Sequence, residues 1–107
     1  MTKVRTIKVA DIFSKTPGGR TRRDGEYSGE AFRDDILWPV LSKGERVIVD
    51  LSGTLGYGSS FLEEAFGGLV RQHRDELPDL LDRVELVPHQ SVYAAEAKKY
   101  MQAAANA

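Results

Sequence analysis

The chain has 107 residues, 41% hydrophobic and 29% charged, with a formal net charge of -1. There is no cysteine and there are only two histidines, His73 and His89, which excludes disulfides, thiolate metal centres and cysteine nucleophiles and leaves no histidine-rich metal site. The near-neutral charge gives no overall pull toward nucleic acid or membrane, and no apolar run is long enough to span a bilayer. One domain over residues 1–107 is expected, in the cytoplasm, without metal or cofactor.

The N-terminal stretch MTKVRTIKVADIF alternates loosely and lacks a signal-peptide core. Val4, Ile7, Val9 and Ile12 with Phe13 predict one or two short edge-like strands. The following SKTPGGRTRRDGEYSGE breaks all periodicity, and Pro17, Gly18, Gly19, Gly25 and Gly29 make it a loop. A loop of that length in a small domain is often functional. Ser28 or Gly29 then opens a helix. Phe32, Ile36, Leu37, Val40 and Leu41 recur at helical spacing, and Glu30 sits in the first turn, where an acid favours the helix dipole. Pro39 should kink or split this helix, and Gly44 ends it.

RVIVDL, residues 46–51, reads as a central strand buried on both faces. Residues 60–76 read as the clearest helix, with Leu62, Ala65, Phe66, Leu69 and Val70 on one stripe. Ser60 and Glu63 have the spacing of a capping box. Gly67 and Gly68 each cost about 1 kcal/mol inside a helix, so they imply close packing against a neighbour. RVELV, residues 83–87, is a further strand ended by Pro88. SVYAAEAKKYMQAAANA forms a last helix, with Tyr93, Ala97, Tyr100 and Met101 on one face. Strands alternating with helices imply an α/β sandwich with a parallel or mixed sheet.

The turn GTLGYGSS between the central strand and its helix has three readings. Gly53 and Gly58 fit the glycines of a phosphate-binding loop, but the lysine that neutralises outer phosphates is missing, and the next basic residue is Arg71. Ser59 and Ser60, at a helix start, fit acceptors of a covalent phosphate, which would add about two negative charges where helix amides favour an anion. The third reading is a capped turn that binds nothing.

VIVDLSG followed by GSSFLEEAFGGLV resembles STAS domains, the fold of bacterial anti-sigma-factor antagonists. There a serine in an Asp-Ser-Ser-Gly turn is phosphorylated by a histidine-kinase-like ATPase. That resemblance places the serine pair on Ser59 and Ser60, with Ser60 as acceptor. Gly58 stands where the antagonists carry Asp, and Phe61 where they carry glycine. The chain is most similar to a STAS-like family of short bacterial proteins without established function, a resemblance carried by DIFSKTPGGR, DGEYSGEAFRDDIL and VIVDLSGTLGYGSSFLEEAFGGLVR over nearly the whole length. It implies a non-enzymatic signalling module that binds a protein partner, the ATPase first, and is switched by phosphoserine.

The arginine-rich loop adds a candidate. Arg20 follows Pro-Gly-Gly, a turn that can aim its side chain, and a guanidinium binds phosphate or carboxylate bidentately. Arg20 is therefore expected over the Ser59/Ser60 helix end, holding an anion or a structural carboxylate such as Glu30 or Asp50. With the helix start at Ser28–Glu30 it would make an anion pocket. Arg22 and Arg23 read as solvated. The surface for a partner or an anion then comprises Arg20, Gly56, Tyr57, Gly58, Phe61 and Glu64. Phe61 is equally compatible with the core. A small-ligand or nucleotide site on the same loop is the alternative function, and self-association through Tyr57 or Phe61 is open.

Overall fold

Three segments rich in β-branched residues form one sheet in the computed structural model, which describes residues 3–107. The strands are β1 (Val4–Lys8), β2 (Arg46–Asp50) and β3 (Val84–Val87). They lie in the order β1-β2-β3, and both pairings are parallel. Ile7 pairs with Val49, and Val49 with Leu86, so the largest apolar residues share one face. Parallel neighbours need crossovers, and helices over residues 29–41 and 59–72 supply them on that face.

The sheet has one covered face. Val47, Val49 and Leu51 are buried, while Arg46, Ile48 and Asp50, which point the other way, keep contact with solvent. The expectation that β2 is buried on both faces is therefore corrected. All helices of the core pack on one side, and alternation of side chains sends every second residue of β2 to the other. The second N-terminal strand is also absent. Val9–Ile12 form a helical turn that buries Val9 and Ala10.

The 29–41 helix starts as expected. Ser28 is buried and its Oγ accepts from the Ala31 amide at 3.2 Å. The helix widens into a π turn over Phe32–Leu37, with the Trp38 amide donating to the Arg33 carbonyl, before returning to α geometry at Trp38–Leu41. Pro39, which has no N–H to give, thus meets a change of hydrogen-bond register beside it.

The 59–72 helix has a second π turn, Glu63–Gly67, and buries Phe61, Leu62, Ala65, Phe66, Leu69 and Val70. It stops at His73, four residues short of the predicted end at 76, and Arg74–Glu76 form a 3-10 turn. At Gly29 the two helices cross almost in backbone contact: a Cβ there would lie 2.5 Å from the Phe61 carbonyl oxygen. Phe32 centres the aromatic core, with ring centroids 5.2 Å from Phe13, 6.0 Å from Phe61 and 6.1 Å from Phe66. Each such ring contributes about 2–3 kcal/mol by leaving water. The C-terminal helix, Val92–Ala105, is capped by Ser91 and buries Ala94, Ala97, Met101 and Ala104.

Candidate functional site: the loop after β2 and the arginine–glutamate cluster

At the C-terminal end of β2 the chain makes two tight reversals. Asp50 Oδ1 accepts from the Ser52 amide at 2.9 Å and from its hydroxyl at 2.7 Å. Those two bonds, hydroxyl first, hold the carboxyl below the usual carboxylate range. Gly53 has φ +90° and Gly56 φ +129°, conformations that side chains resist. Gly56 also lets Tyr93 approach, since a Cβ would sit 3.0 Å from its hydroxyl oxygen. Between these glycines Leu55 is thrust outward with 87% of its surface exposed. The Leu55 amide donates to the Lys15 carbonyl at 2.9 Å, which fixes the tip to the arginine-rich loop.

Tyr57 and Phe61 turn inward. Phe61 is fully buried, and the Tyr57 hydroxyl donates to the Leu51 carbonyl at 2.9 Å. Burial pushes that phenol up to about 12. Their assignment to a partner-facing or self-associating surface is corrected: both anchor the turn to the aromatic core. Gly58 of that predicted surface is exposed, as are the candidate phosphate acceptors Ser59 and Ser60.

Gly58, with φ -75° and ψ 155°, is the N-cap, and no side chain caps the helix. The Ser60–Glu63 capping box is therefore absent. Glu63 is instead held by charge-assisted bonds, which are stronger than a bond to a neutral amide. Arg71 Nη2 donates to its Oε1 at 3.0 Å and Arg20 Nη1 to the same oxygen at 2.7 Å. Arg71 and then Arg20 hold the Glu63 carboxyl down at about 2, against the burial that opposes ionisation. The capping residue thus lies two positions before the predicted one, and among the described residues no acceptor faces the amides of Ser59, Ser60 and Phe61.

Glu64 belongs to the same cluster. It accepts from Arg20 Nη1 at 3.3 Å and pairs with Arg33 Nη1, whose side chain is 3% exposed. Arg33 also donates to Asp34 from Nε at 2.7 Å. Glu64 is therefore internal to the cluster, which corrects its place on a free surface. Gly67 and Gly68 make room for these groups. A Cβ on Gly67 would lie 2.6 Å from Glu63 Oε2, and on Gly68 2.7 Å from Arg33 Nη1.

Arg20 does lie beside the 59–72 helix, but its partners are Glu63 and Glu64, not Glu30 or Asp50. Nor do two open helix ends meet around it. The amides of Gly29 and Glu30 donate to the carbonyls of Gly19 and Arg20 at 2.9 and 3.0 Å, so the arginine-rich loop itself closes the start of the 29–41 helix. Arg22, expected in solvent, makes a fork to Asp35 with bonds of 3.0 and 2.8 Å.

The family match spans residues 28–87 and describes a STAS-like domain of unknown function (DUF4325). The chain belongs to this STAS-like family. The match takes in the glycine-rich turn, both serines, Arg33, Glu63, Glu64 and Arg71, and it stops short of Arg20 and the C-terminal helix. No curated protein and no solved structure matches the chain.

Sequence reading of this STAS-like protein missed Arg33 and Tyr100. Arg33 is buried where the crossing at Gly29 brings Glu64 to it. Tyr100 donates to Glu96 at 2.7 Å, a bond that raises its pKa, and the Ser59 hydroxyl acts on the same phenol in the opposite sense. The single signal for Arg33 was the glycine pair facing it one helix away. Among the described residues no group of acidic and histidine side chains could hold a metal.

Proposed function

We propose that this STAS-like protein is a non-enzymatic docking module whose partner-binding surface is the 51–60 turn. The carrying observation is the contrast between the two helix starts: the first is closed by backbone carbonyls, the second presents free amides, two exposed serines and the outward Leu55. An exposed leucine on a pinned turn supplies the apolar contact of an interface. Phosphate on Ser60 or Ser59 would place about two negative charges on that contact, one turn from Glu63. The likeness of the turn to that of anti-sigma-factor antagonists makes a histidine-kinase-like ATPase the partner to test first. The anion-binding alternative has less support, because Arg20 already holds two carboxylates.

Tagged protein recovered from its native cells tests the reading, with phosphate mapped on Ser59 and Ser60 by mass spectrometry. A co-purifying ATPase that is lost with Leu55→Asp and with Ser60→Asp supports it. Unmodified serines together with no partner sensitive to Leu55→Asp would overturn it.

A further inference from the structure

β3 closes the sheet on one side, and among the described residues its outer edge has no strand beside it. Parallel pairing sends the backbone groups of alternate residues to opposite sides. The Val47 amide donates to the Arg83 carbonyl and the Leu51 amide to the Val87 carbonyl, both at 2.8 Å. Arg83, Glu85 and Val87 therefore face β2, and the N–H and C=O of Val84 and Leu86 point outward. Among the described residues these four groups find no partner.

They open into a cleft of about 750 Å³ between β3 and the C-terminal helix, floored by Leu86, Ala94 and Met101, with Ala95 and Lys98 along the helix wall; Glu85, bonded to exposed His89 Nε2 at 2.7 Å, also lines it together with Arg46. β1 has a free edge too among the described residues, but it carries Arg5 and Lys8, charges of the kind that block strand addition.

We propose that this cleft binds an extended peptide segment of a partner protein, added antiparallel to β3 as a fourth strand, with a basic residue opposite Glu85 and apolar residues on either side of it opposite Val84 and Leu86. Two unpaired N–H and C=O pairs two residues apart are met in full only by another extended backbone. Pleat alternation then sends the residues beside Val84 and Leu86 onto the apolar floor, and the residue between them to the solvent face beside Glu85.

A second copy of the chain is a poor occupant. Antiparallel pairing centred on residue 85 sets Glu85 against Glu85 of the other copy, and like charges directly opposite destabilise. Centring on Leu86 sets Val84 against Pro88, which has no N–H to donate. Centring on Val84 sets Leu86 against Asp82, which lies in the helical turn Asp79–Asp82.

The test is an NMR titration of the 15N-labelled full chain with the peptide acetyl-Thr-Val-Lys-Val-Thr-amide. The expected result is a downfield shift of the Val84 and Leu86 amides and hydrogen exchange at both slowed by about threefold or more. N-methylation of the two valines should abolish the effect. A Lys→Glu peptide should bind at least about fivefold more weakly, and Glu85→Lys, at an exposed position, should reverse that preference. Unmoved Val84 and Leu86 amides at millimolar peptide would overturn the proposal. So would equal binding of the N-methylated peptide, or protection of the same amides by protein concentration alone, which would assign the edge to a second copy.

Discussion

Replacing Glu64 with alanine isolates the buried part of the charge cluster. It removes the carboxylate facing Arg33 Nη1, leaving that nitrogen only the Glu64 carbonyl oxygen at 3.4 Å. Asp34 still accepts from Nε at 2.7 Å and from Nη2 at 3.2 Å. A buried charge left wholly alone costs about 3–5 kcal/mol, so a guanidinium that keeps one carboxylate should cost about 2–3 kcal/mol. Equilibrium urea unfolding at pH 7 reads this directly, and a thermal scan should show a Tm lower by about 4–8 °C per kcal/mol. Arg20→Met removes the exposed arm of the same network and should cost under about 1 kcal/mol. The double change Arg33→Met with Glu64→Leu should recover most of the loss, because apolar groups of similar volume replace both charges. A Glu64→Ala cost no larger than that of Arg20→Met would refute the claim that burial of Arg33 sets the energetics.

Acid should weaken the fold through Glu63. Its pKa is about 2 in the folded chain against 4.5 ordinarily, so its contribution is complete above about pH 5 and is lost as pH falls from there through 2. Solvent screening limits it to the order of 1 kcal/mol, and Glu63→Gln should flatten that part of a stability-versus-pH curve. Gly68→Ala should destabilise by about 1–2 kcal/mol, since the new methyl displaces a pinned ion pair and overrides the helix propensity it adds. Gly67→Ala should cost less than Gly68→Ala, because the Glu63–Arg71 pair it meets is more exposed than Arg33 and can shift outward, and the two variants compared by urea unfolding separate packing from propensity. Gly29→Ala should cost about 1–3 kcal/mol, as backbone at the helix crossing cannot yield. Tyr57→Phe should cost about 1 kcal/mol for the buried bond to Leu51 and remove the tyrosine that ionises near pH 12 in an absorbance titration.

Periodicity carried most of the fold. β2, β3, the helix holding Phe66 and Leu69, and the helix holding Ala97 and Met101 were legible because each has an apolar face that recurs at the period of its element. The number of covered faces was not legible in RVIVDL. A run of apolar residues reads as doubly buried, but Ile48 is shielded only in part by its neighbours, and nothing local says that no helix lies beneath it. The glycine-rich turn was placed correctly, yet the direction of its side chains was not. Ser60 and Glu63 have capping spacing, and the capping reading loses to two arginines that are 8 and 43 residues from Glu63 in the chain. Phe61 follows two exposed serines and is core all the same, because Phe13 and Phe32 come from distant elements to meet it. His73 lies stacked on Trp38 at 3.5 Å between ring centroids, and burial lowers its pKa.

The C-terminal helix couples the two surfaces in which binding is proposed. Its Tyr100 side lies near Ser59 at the head of the 59–72 helix, and its Ala94, Lys98 and Met101 side walls the cleft beside β3. A phosphate on Ser59 would stand against the Tyr100 hydroxyl and near the Glu96 carboxylate that accepts from it. Repulsion of that carboxylate acts on the same helix that forms one wall of the peptide cleft. If both proposals hold, a charge at residue 59, near Tyr100, should change peptide affinity at β3 more than a charge at residue 60 does. Titrating the lysine peptide into Ser59→Glu and Ser60→Glu side by side measures the difference. Equal affinities for the two variants and the parent would show that the surfaces work independently.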